Sequence, residues 1–383
     1  MKCFLSSGLN CFVLLVAMVA VLSGCGPSDG LSDLAAGKAA YEAGDFVRAE
    51  KLLSRSLEDV PGRVDTLVHY ALVKLALGKF DDVSKAVATA RTLAEGAYDV
   101  ELLAGQLAWH KKEYASAEKI FTKLAEDTSL PVEVRSQAWA EKGIVEMTCD
   151  EIDFARVSFL TAIRLNRKNA AAWYHLALLY RDGFGYLESS LENFNIYVRL
   201  DTQASARVAK VQRTLIPGLQ DSIRRTASER PGASRRNSAA SAAALSAAET
   251  AFRKKRYKEA VAKYKEALKL DVLSYPAALG LAKALEASDS SASGKAAVFE
   301  AYRTACTLRA GALSTYLAAG ALAMNMGRYA EAKEIYSRAV AADPMSFTAL
   351  DGLIAALGRL NSRGKQAARY QRYREMIKPI KKR

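Results

Sequence analysis

The chain of 383 residues is poor in the side chains that most often carry chemistry. It has three histidines, His69, His110 and His175. No HExxH, no histidine pair at i and i+4 and no cysteine cluster accompanies them, which excludes the common zinc motifs. Cysteine is scarce as well. Of the five, Cys3 and Cys11 lie in an apolar leader and Cys25 at its end, which leaves Cys149 and Cys306 far apart. Their spacing matches no metal motif, no disulfide is expected between them, and both are expected to be small buried side chains. G-x-S-x-G, P-loop and dinucleotide fingerprints are missing, and Gly183-Phe184-Gly185 reads as a helix-ending loop. The paired acids Asp81-Asp82 and Asp150-Glu151 fall at turns, where carboxylates favour a helix start. No catalytic constellation and no cofactor is therefore expected, and the chain does not read as an enzyme.

What the chain has is periodicity. Residues 316–344, YLAAGALAMNMGRYAEAKEIYSRAVAADP, hold two amphipathic helices. Tyr316, Ala319, Gly320 and Ala323 form one face at spacing three and four, and Tyr329, Ala332, Ile335, Tyr336 and Ala339 form the second. Gly327 suits the left-handed turn between them, and Pro344 stops the unit. An A-x3-bulky mark recurs at Ala49/Leu53, Val83/Val87, Ala117/Phe121, Ala155/Phe159 and Ser190/Phe194, with steps of 34 residues at first. A polar loop around Pro131 adds four residues to the third step. The mark returns at Ala260/Tyr264, Val298/Tyr302 and Ala332/Tyr336. Trp139 with Gly143, Ala104 with Gly105, and the turn glycines Gly44 and Gly78 agree with the same register.

These marks resemble the tetratricopeptide repeat, with its W-x2-L-G-x2-Y, A-x3-F and P pattern at a period of 34. The resemblance implies an all-α solenoid of helix-turn-helix repeats in two arrays joined by a basic linker. The expected organisation is a leader over 1–24, a tether over 25–30, an N-terminal array over 31–200 and a C-terminal array over 241–383. Residues 201–240 between them would hold a capping helix, broken at Pro217, and a flexible Ser/Arg/Ala/Pro-rich linker over 226–240. The resemblance further implies protein–protein binding, in a groove lined by positions 2, 5, 9, 12 and 13 of each first helix. Carried over, those positions, among them Val68, Leu75, Leu102 and Ile144, predict a mainly apolar N-terminal groove. Trp109, Met147 and Tyr174 would be its anchors, with Lys38, Tyr41, Gln106, His110 and Arg181 beside them. His69 and His175 hold the same place in their repeats and read as structural.

The leader has its own signature. Residues 11–22 are almost wholly apolar, too short for a membrane helix, and Leu22-Ser23-Gly24-Cys25 resembles a bacterial lipobox. That resemblance implies cleavage before Cys25, acylation of that cysteine and a place in the bacterial cell envelope. By analogy the absence of Asp after Cys25 favours the outer membrane, facing the periplasm. A plain secretory signal or a transmembrane anchor is the competing reading. The implied role is a membrane-anchored scaffold for one or more envelope proteins, with pilus assembly, outer-membrane assembly and peptidoglycan-enzyme recruitment among the pathways lipoproteins of this build serve.

Net charge is +14, and it is unevenly placed. Residues 26–200 hold 21 Lys/Arg against 26 Asp/Glu, residues 201–256 hold 12 against 4, and residues 358–383 hold 10 against 1. The basic segments supply an alternative binding surface for anionic lipid or peptidoglycan, through Arg224, Arg225, Arg235, Arg236, Arg369, Arg372, Lys381, Lys382 and Arg383. No nucleic-acid partner is expected, because the anchor places the mature chain outside the cytoplasm and no nucleic-acid motif is present.

Overall fold

A small residue facing a bulky one, repeated along the chain, builds the fold. The computed structural model describes residues 30–201, 206–229, 238–288, 291–309, 311–360 and 364–377. The leader, Cys25, most of the tether, Arg235, Arg236, Lys381, Lys382 and Arg383 lie outside them. Every regular element among the described residues is helical. Five hairpins come first: α1 (Leu31–Glu42) with α2 (Phe46–Asp59), α3 (Val64–Ala76) with α4 (Phe80–Leu93), α5 (Tyr98–His110) with α6 (Tyr114–Glu126), α7 (Val132–Thr148) with α8 (Ile152–Leu165), and α9 (Ala170–Leu178) with α10 (Leu187–Leu200). Then follow α11 (Ala206–Lys210) and α12 (Ile216–Ser228). Four further hairpins pair α13 (Ser238–Arg253) with α14 (Tyr257–Leu270), α15 (Tyr275–Ser288) with α16 (Ala292–Leu308), α17 (Leu313–Asn325) with α18 (Tyr329–Ala342), and α19 (Phe347–Arg359) with α20 (Lys365–Ile377). None of the described helices is long and apolar enough to cross a membrane.

The register marks of the second helices are the packing centres. Ala49, Leu53, Ala117, Phe121, Ala155, Phe159, Phe194 and Ala332 are all at most 1 % exposed. Leu53, Phe121, Phe159 and Tyr336 each lie over a glycine of their own first helix, whereas Tyr264 lies over Gly280 of the next hairpin. A Cβ placed on Gly105 would stand 2.6 Å from the Phe121 ring, one on Gly143 2.6 Å from Phe159, and one on Gly320 2.7 Å from Tyr336. Burying such a ring contributes about 1.5–3 kcal/mol, so the glycine is what makes that contact possible. From α1 to α8 and from α13 to α20 each helix packs on the next, and first helices also pack on one another: α1 on α3, α3 on α5, α5 on α7, α13 on α15 and α17 on α19.

The turns inside the hairpins share one geometry. Gly44, Gly78 and Gly327 have φ of 78°, 72° and 70°, and Lys112, Asp150 and Lys255 take the same place at 65°, 63° and 59°. In each case the next amide closes the helix end: Lys79 donates to the Lys74 carbonyl at 2.8 Å, Glu113 to Ala108 at 2.8 Å, Glu151 to Glu146 at 2.8 Å and Arg328 to Ala323 at 2.9 Å. This is a Schellman closure, which needs a left-handed residue at that point. Between hairpins an Asp or Asn side chain caps the loop. The Oδ1 atoms of Asp127, Asn166, Asp271 and Asp343 accept from the amide two residues on, at 2.9, 2.9, 3.0 and 2.9 Å.

By its contacts the chain forms two compact units. The first takes residues through Leu176 together with Ile196–Ala209, and the second takes Ala177–Asn195 together with Lys210 onward. In the first, Leu34, Tyr41, Ala49, Leu53 and Val73 form one core cluster, and Val83, Val87, Leu103 and Leu107 belong to another. In the second, Ala248, Ala260, Tyr264 and Ala277 form a third.

Several expectations need correction. Pro217 does not break its helix. It sits in the first turn of α12, where its missing amide is harmless, just after a π-helical stretch, Val211–Leu215. Of the residues expected on a capping face, Val208, Val211 and Leu219 are buried, and Leu215 and Ile223 are half-buried. The flexible linker expected over 226–240 is helical at both described flanks, with Thr226–Ser228 in α12 and residues 238–240 in α13. Alanine is the strongest helix former and outweighs serine there; the stretch between, 230–237, lies outside the described residues. Cys306 is buried, but Cys149 is exposed at the end of α7, because the turn carries it off the packing face.

Candidate functional site

The first unit gathers charged side chains on the face of its first helices. Lys38 and Tyr41 are three apart on α1, Asp65 and His69 four apart on α3, and Asp99 and Gln106 seven apart on α5, so each set shares one helix side. Lys38 Nζ donates to Asp65 Oδ2 at 2.7 Å. His69 Nδ1 donates to the Asp65 carbonyl at 2.8 Å and lies 3.0 Å from its carboxylate. The His69 ring and then Lys38 hold the Asp65 carboxyl well below the usual carboxylate range, against partial burial. Asp99 is near enough to feel the charges of His69, Asp65 and Lys38, yet burial dominates and pushes its carboxyl up.

One repeat further on, Gln106 Nε2 donates to Glu141 Oε1 at 2.7 Å. The Glu141 side chain stays partly accessible, but its carboxyl is withdrawn from water and pushed up to about 7, with the Gln106 amide offsetting part of the shift. Beside this pair Trp109 Nε1 donates to Thr148 Oγ1 at 3.1 Å, and the indole meets the His110 ring edge-on at 4.8 Å. His110 also leans on Phe80 at 5.5 Å, and burial lowers its basicity. At the fifth repeat, Tyr174 is 8 % exposed and packs on Tyr197 at 5.2 Å. His175 stacks on Phe159 at 5.9 Å, and burial above all, then the Arg207 charge, lowers it to about 3.

The residues named from sequence therefore divide. Lys38, Trp109, His110 and Met147 are half-buried on this face, while Tyr41, Gln106 and Tyr174 are buried in contacts within the unit. Arg181 falls in the second unit and pairs through Nε and Nη2 with Asp182 at 2.6 and 2.7 Å. The face is not the apolar groove that the repeat positions suggested. Val68, Leu75, Leu102 and Ile144, assigned to it, are 3–8 % exposed because they are packed into the helix interfaces. Sequence reasoning missed Glu141 and Arg207. Glu141 does carry a signal, since it occupies the repeat position of His69 and His175.

The basic residues are less uniform than their sequence implies. In the second unit, Arg224 is exposed and pairs with Asp221 at 2.6 Å, Arg225 and Arg372 are exposed, and Arg369 is half-buried. Helix α20 buries Tyr370 and Tyr373, and its Arg374 pairs with Asp351, so this basic helix also serves as a packing element. Among the described residues no group of three or more His, Cys, Asp or Glu is placed to hold a metal.

Two stretches match family models described as tetratricopeptide repeat: residues 313–344, which span α17 and α18, and residues 232–271, which take in α13 and α14. The chain thus carries tetratricopeptide repeats, in an all-α repeat fold. Among solved structures it is similar to pilF of Pseudomonas aeruginosa, with 18 % identity over 51 % of this chain and 91 % of that one and a TM-score of 0.38. It is also similar to a thermophilic TPR protein of Thermus thermophilus, with 16 % identity over 50 % of this chain and 98 % of that one and a TM-score of 0.44. No curated protein matches the chain.

Proposed function

We propose that this protein is an interaction scaffold of the bacterial cell envelope, tethered through an acylated Cys25, which holds a partner protein on the first-helix face of its N-terminal array. The observation that carries this reading is the Lys38–Asp65–His69 and Gln106–Glu141 network together with Trp109. Small-against-bulky pairs already pack the repeats, so the exposed or half-buried members of this set, Lys38, Asp65, His69, Trp109 and Glu141, are not needed for the core and offer polar and aromatic contacts to a partner. The repeats themselves imply protein partners in general. The envelope address rests on the lipobox-like sequence alone. Contact of anionic polymer with the basic segments has less support, since Arg224 and Arg374 are already paired with carboxylates of their own unit.

Photo-crosslinking in intact envelopes tests the reading. A photoreactive residue replacing Trp109 is expected to capture a discrete partner, and one replacing the exposed Thr89 of α4 is not. Equal capture from both positions, or none from Trp109, sinks the proposed surface. Cys25→Ser is expected to abolish acyl labelling and release the chain from membranes; retention with no label would refute the anchor.

A further inference from the structure

Arg207 is the first cation of the basic stretch 201–256, and it belongs to the first unit, whereas residues from Lys210 onward belong to the second. Its guanidinium carbon stands 5.2 Å from the centre of the Tyr174 ring. Tyr197 backs that ring at 5.2 Å, and His175 meets it edge-on at 5.1 Å. The Arg207 charge is felt at Tyr41 in the first repeat and at His175 in the fifth, and Tyr41 also feels Glu141 in the fourth. One arginine thus sits among side chains more than a hundred residues apart in sequence. Val208, its neighbour, is 7 % exposed. The fit is incomplete: Arg207 Nε is buried with no hydrogen-bond acceptor among the described residues.

We infer that this face is a site for the guanidinium of an extended, arginine-bearing segment, that Arg207 is its resident occupant, and that a partner's arginine enters by displacing it. Three observations converge. A flat aromatic face suits a planar, weakly hydrated guanidinium better than an ammonium. The first array as a whole is acidic, with 21 Lys/Arg against 26 Asp/Glu over residues 26–200, where the segment that follows is basic; on the face itself Lys38 and His69 already hold Asp65, and burial pushes the Asp99 and Glu141 carboxyls up. Finally, a buried donor left without an acceptor is costly, so the resident arginine is held by stacking and charge and is open to exchange with one that bonds better. This inference rests on the scaffold reading above and names the chemistry of its partner.

The test compares the full-length chain with Arg207→Ala. The probe is a fluorescent peptide copying residues 204–211, alongside the same peptide with citrulline in place of arginine. By anisotropy, Arg207→Ala is expected to bind the arginine peptide at least tenfold more tightly than the unaltered chain, because the site no longer has an internal competitor. The citrulline peptide is expected to lose that gain, and added salt to reduce it. Arg207→Lys, which keeps the charge without the planar fork, is expected to fall between. Circular dichroism identifies folded variants, and if Arg207→Ala fails to fold, Arg207→Lys and Arg207→Gln carry the same comparison. No gain in any folded variant, or equal binding of the citrulline peptide, overturns the inference. Partner crosslinking from position 109 without any gain in peptide affinity would leave the scaffold reading standing and remove the guanidinium site; peptide gain without a crosslinked partner would do the reverse.

Discussion

Replacing Lys112, Asp150 or Lys255 by glycine should make this protein more stable. All three hold positive φ, 65°, 63° and 59°, at turns where Gly44, Gly78 and Gly327 stand in other repeats. A left-handed backbone costs an L-residue roughly 1–2 kcal/mol. Glycine avoids that strain but gains freedom in the unfolded chain, which offsets about 0.5–1 kcal/mol. The net expectation is about 0.5–1 kcal/mol of stabilisation for Lys112→Gly and for Lys255→Gly. Asp150→Gly should give less, because aspartate tolerates the left-handed region better than lysine. None of the turns loses a backbone hydrogen bond, since the closing amide belongs to the next residue: Glu113, Glu151 and Arg256 donate at 2.8, 2.8 and 2.9 Å. The reverse change isolates the same quantity. A Cβ on Gly78 or Gly327 would meet nothing within 4 Å, so Gly78→Ala should be destabilising by about 1 kcal/mol through backbone strain alone. Urea unfolding followed by circular dichroism reads both, as a shift of midpoint at constant slope. Repeat arrays can unfold in parts, so hydrogen exchange of the amides in α5 and α6 should report the Lys112→Gly gain locally. If Lys112→Gly lowers stability while Gly78→Ala leaves it unchanged, the turn does not require the left-handed conformation and the reasoning fails.

Gly105→Ala should be destabilising by about 1–3 kcal/mol, because its Cβ would stand 2.6 Å from Phe121 in the core; adding Phe121→Leu should recover part of that loss in the same unfolding assay, and a full additive loss would argue against the contact. Glu141 predicts a pH effect of definite sign. Its folded-state value is raised to about 7, so the native state holds the proton longer than the unfolded chain does, and its contribution weakens as pH rises from the ordinary carboxylate range through 7. Glu141→Gln keeps an acceptor for Gln106 and should stabilise the first unit by about 1 kcal/mol at pH 8, after allowing for its partial exposure, with little effect at pH 4.5; equal unfolding midpoints at pH 8 would contradict this. His175 works in the opposite direction. Lowered to about 3, it must stay neutral while the unfolded histidine takes up a proton, so acid below pH 6.5 weakens the fold, and His175→Leu should flatten that limb of the stability profile.

The repeat register was legible because it is local. Gly105 and Phe121, or Gly320 and Tyr336, are 16 residues apart, and the A-x3-bulky mark names the bulky member of each pair directly. The left-handed turns were half legible. Glycine announces itself at 44, 78 and 327, but Lys112, Asp150 and Lys255 adopt the same φ because the Schellman hydrogen bond and the two packed helices impose it on whatever residue is there. The charged face was not legible. Lys38 meets Asp65 across 27 residues and Gln106 meets Glu141 across 35, pairings set by the stacking of one repeat on the next. Position-by-position transfer likewise assigned Val68 and Leu102 to an open groove, where neighbouring helices cover them. Arg207 was read only as one charge in a basic run, since nothing in the run distinguishes the arginine that turns toward Tyr174.

That separation between packing and polar contacts bears on how recognition can be tested without unfolding the protein. In the regular unit built by α17 and α18, Arg328 is bonded to Glu331 three residues away and Arg338 to Glu334 four away. Arg328 also reaches Glu300 of the preceding repeat at 3.6 Å, and on the first unit's face Lys38–Asp65 and Gln106–Glu141 likewise run between repeats. Exposed or half-exposed pairs of this kind contribute roughly 0–1 kcal/mol, whereas a buried ring such as Phe121 contributes several times more. Asp65, half exposed beside Lys38 and His69, can therefore be changed to asparagine at small cost to the fold, since the amide oxygen still accepts from Lys38. Gly105 and Phe121 cannot. Substitutions on the charged face thus test the proposed partner surface while leaving the array intact, and the repeat marks that identify the fold are the wrong residues to mutate when the question is what the fold binds.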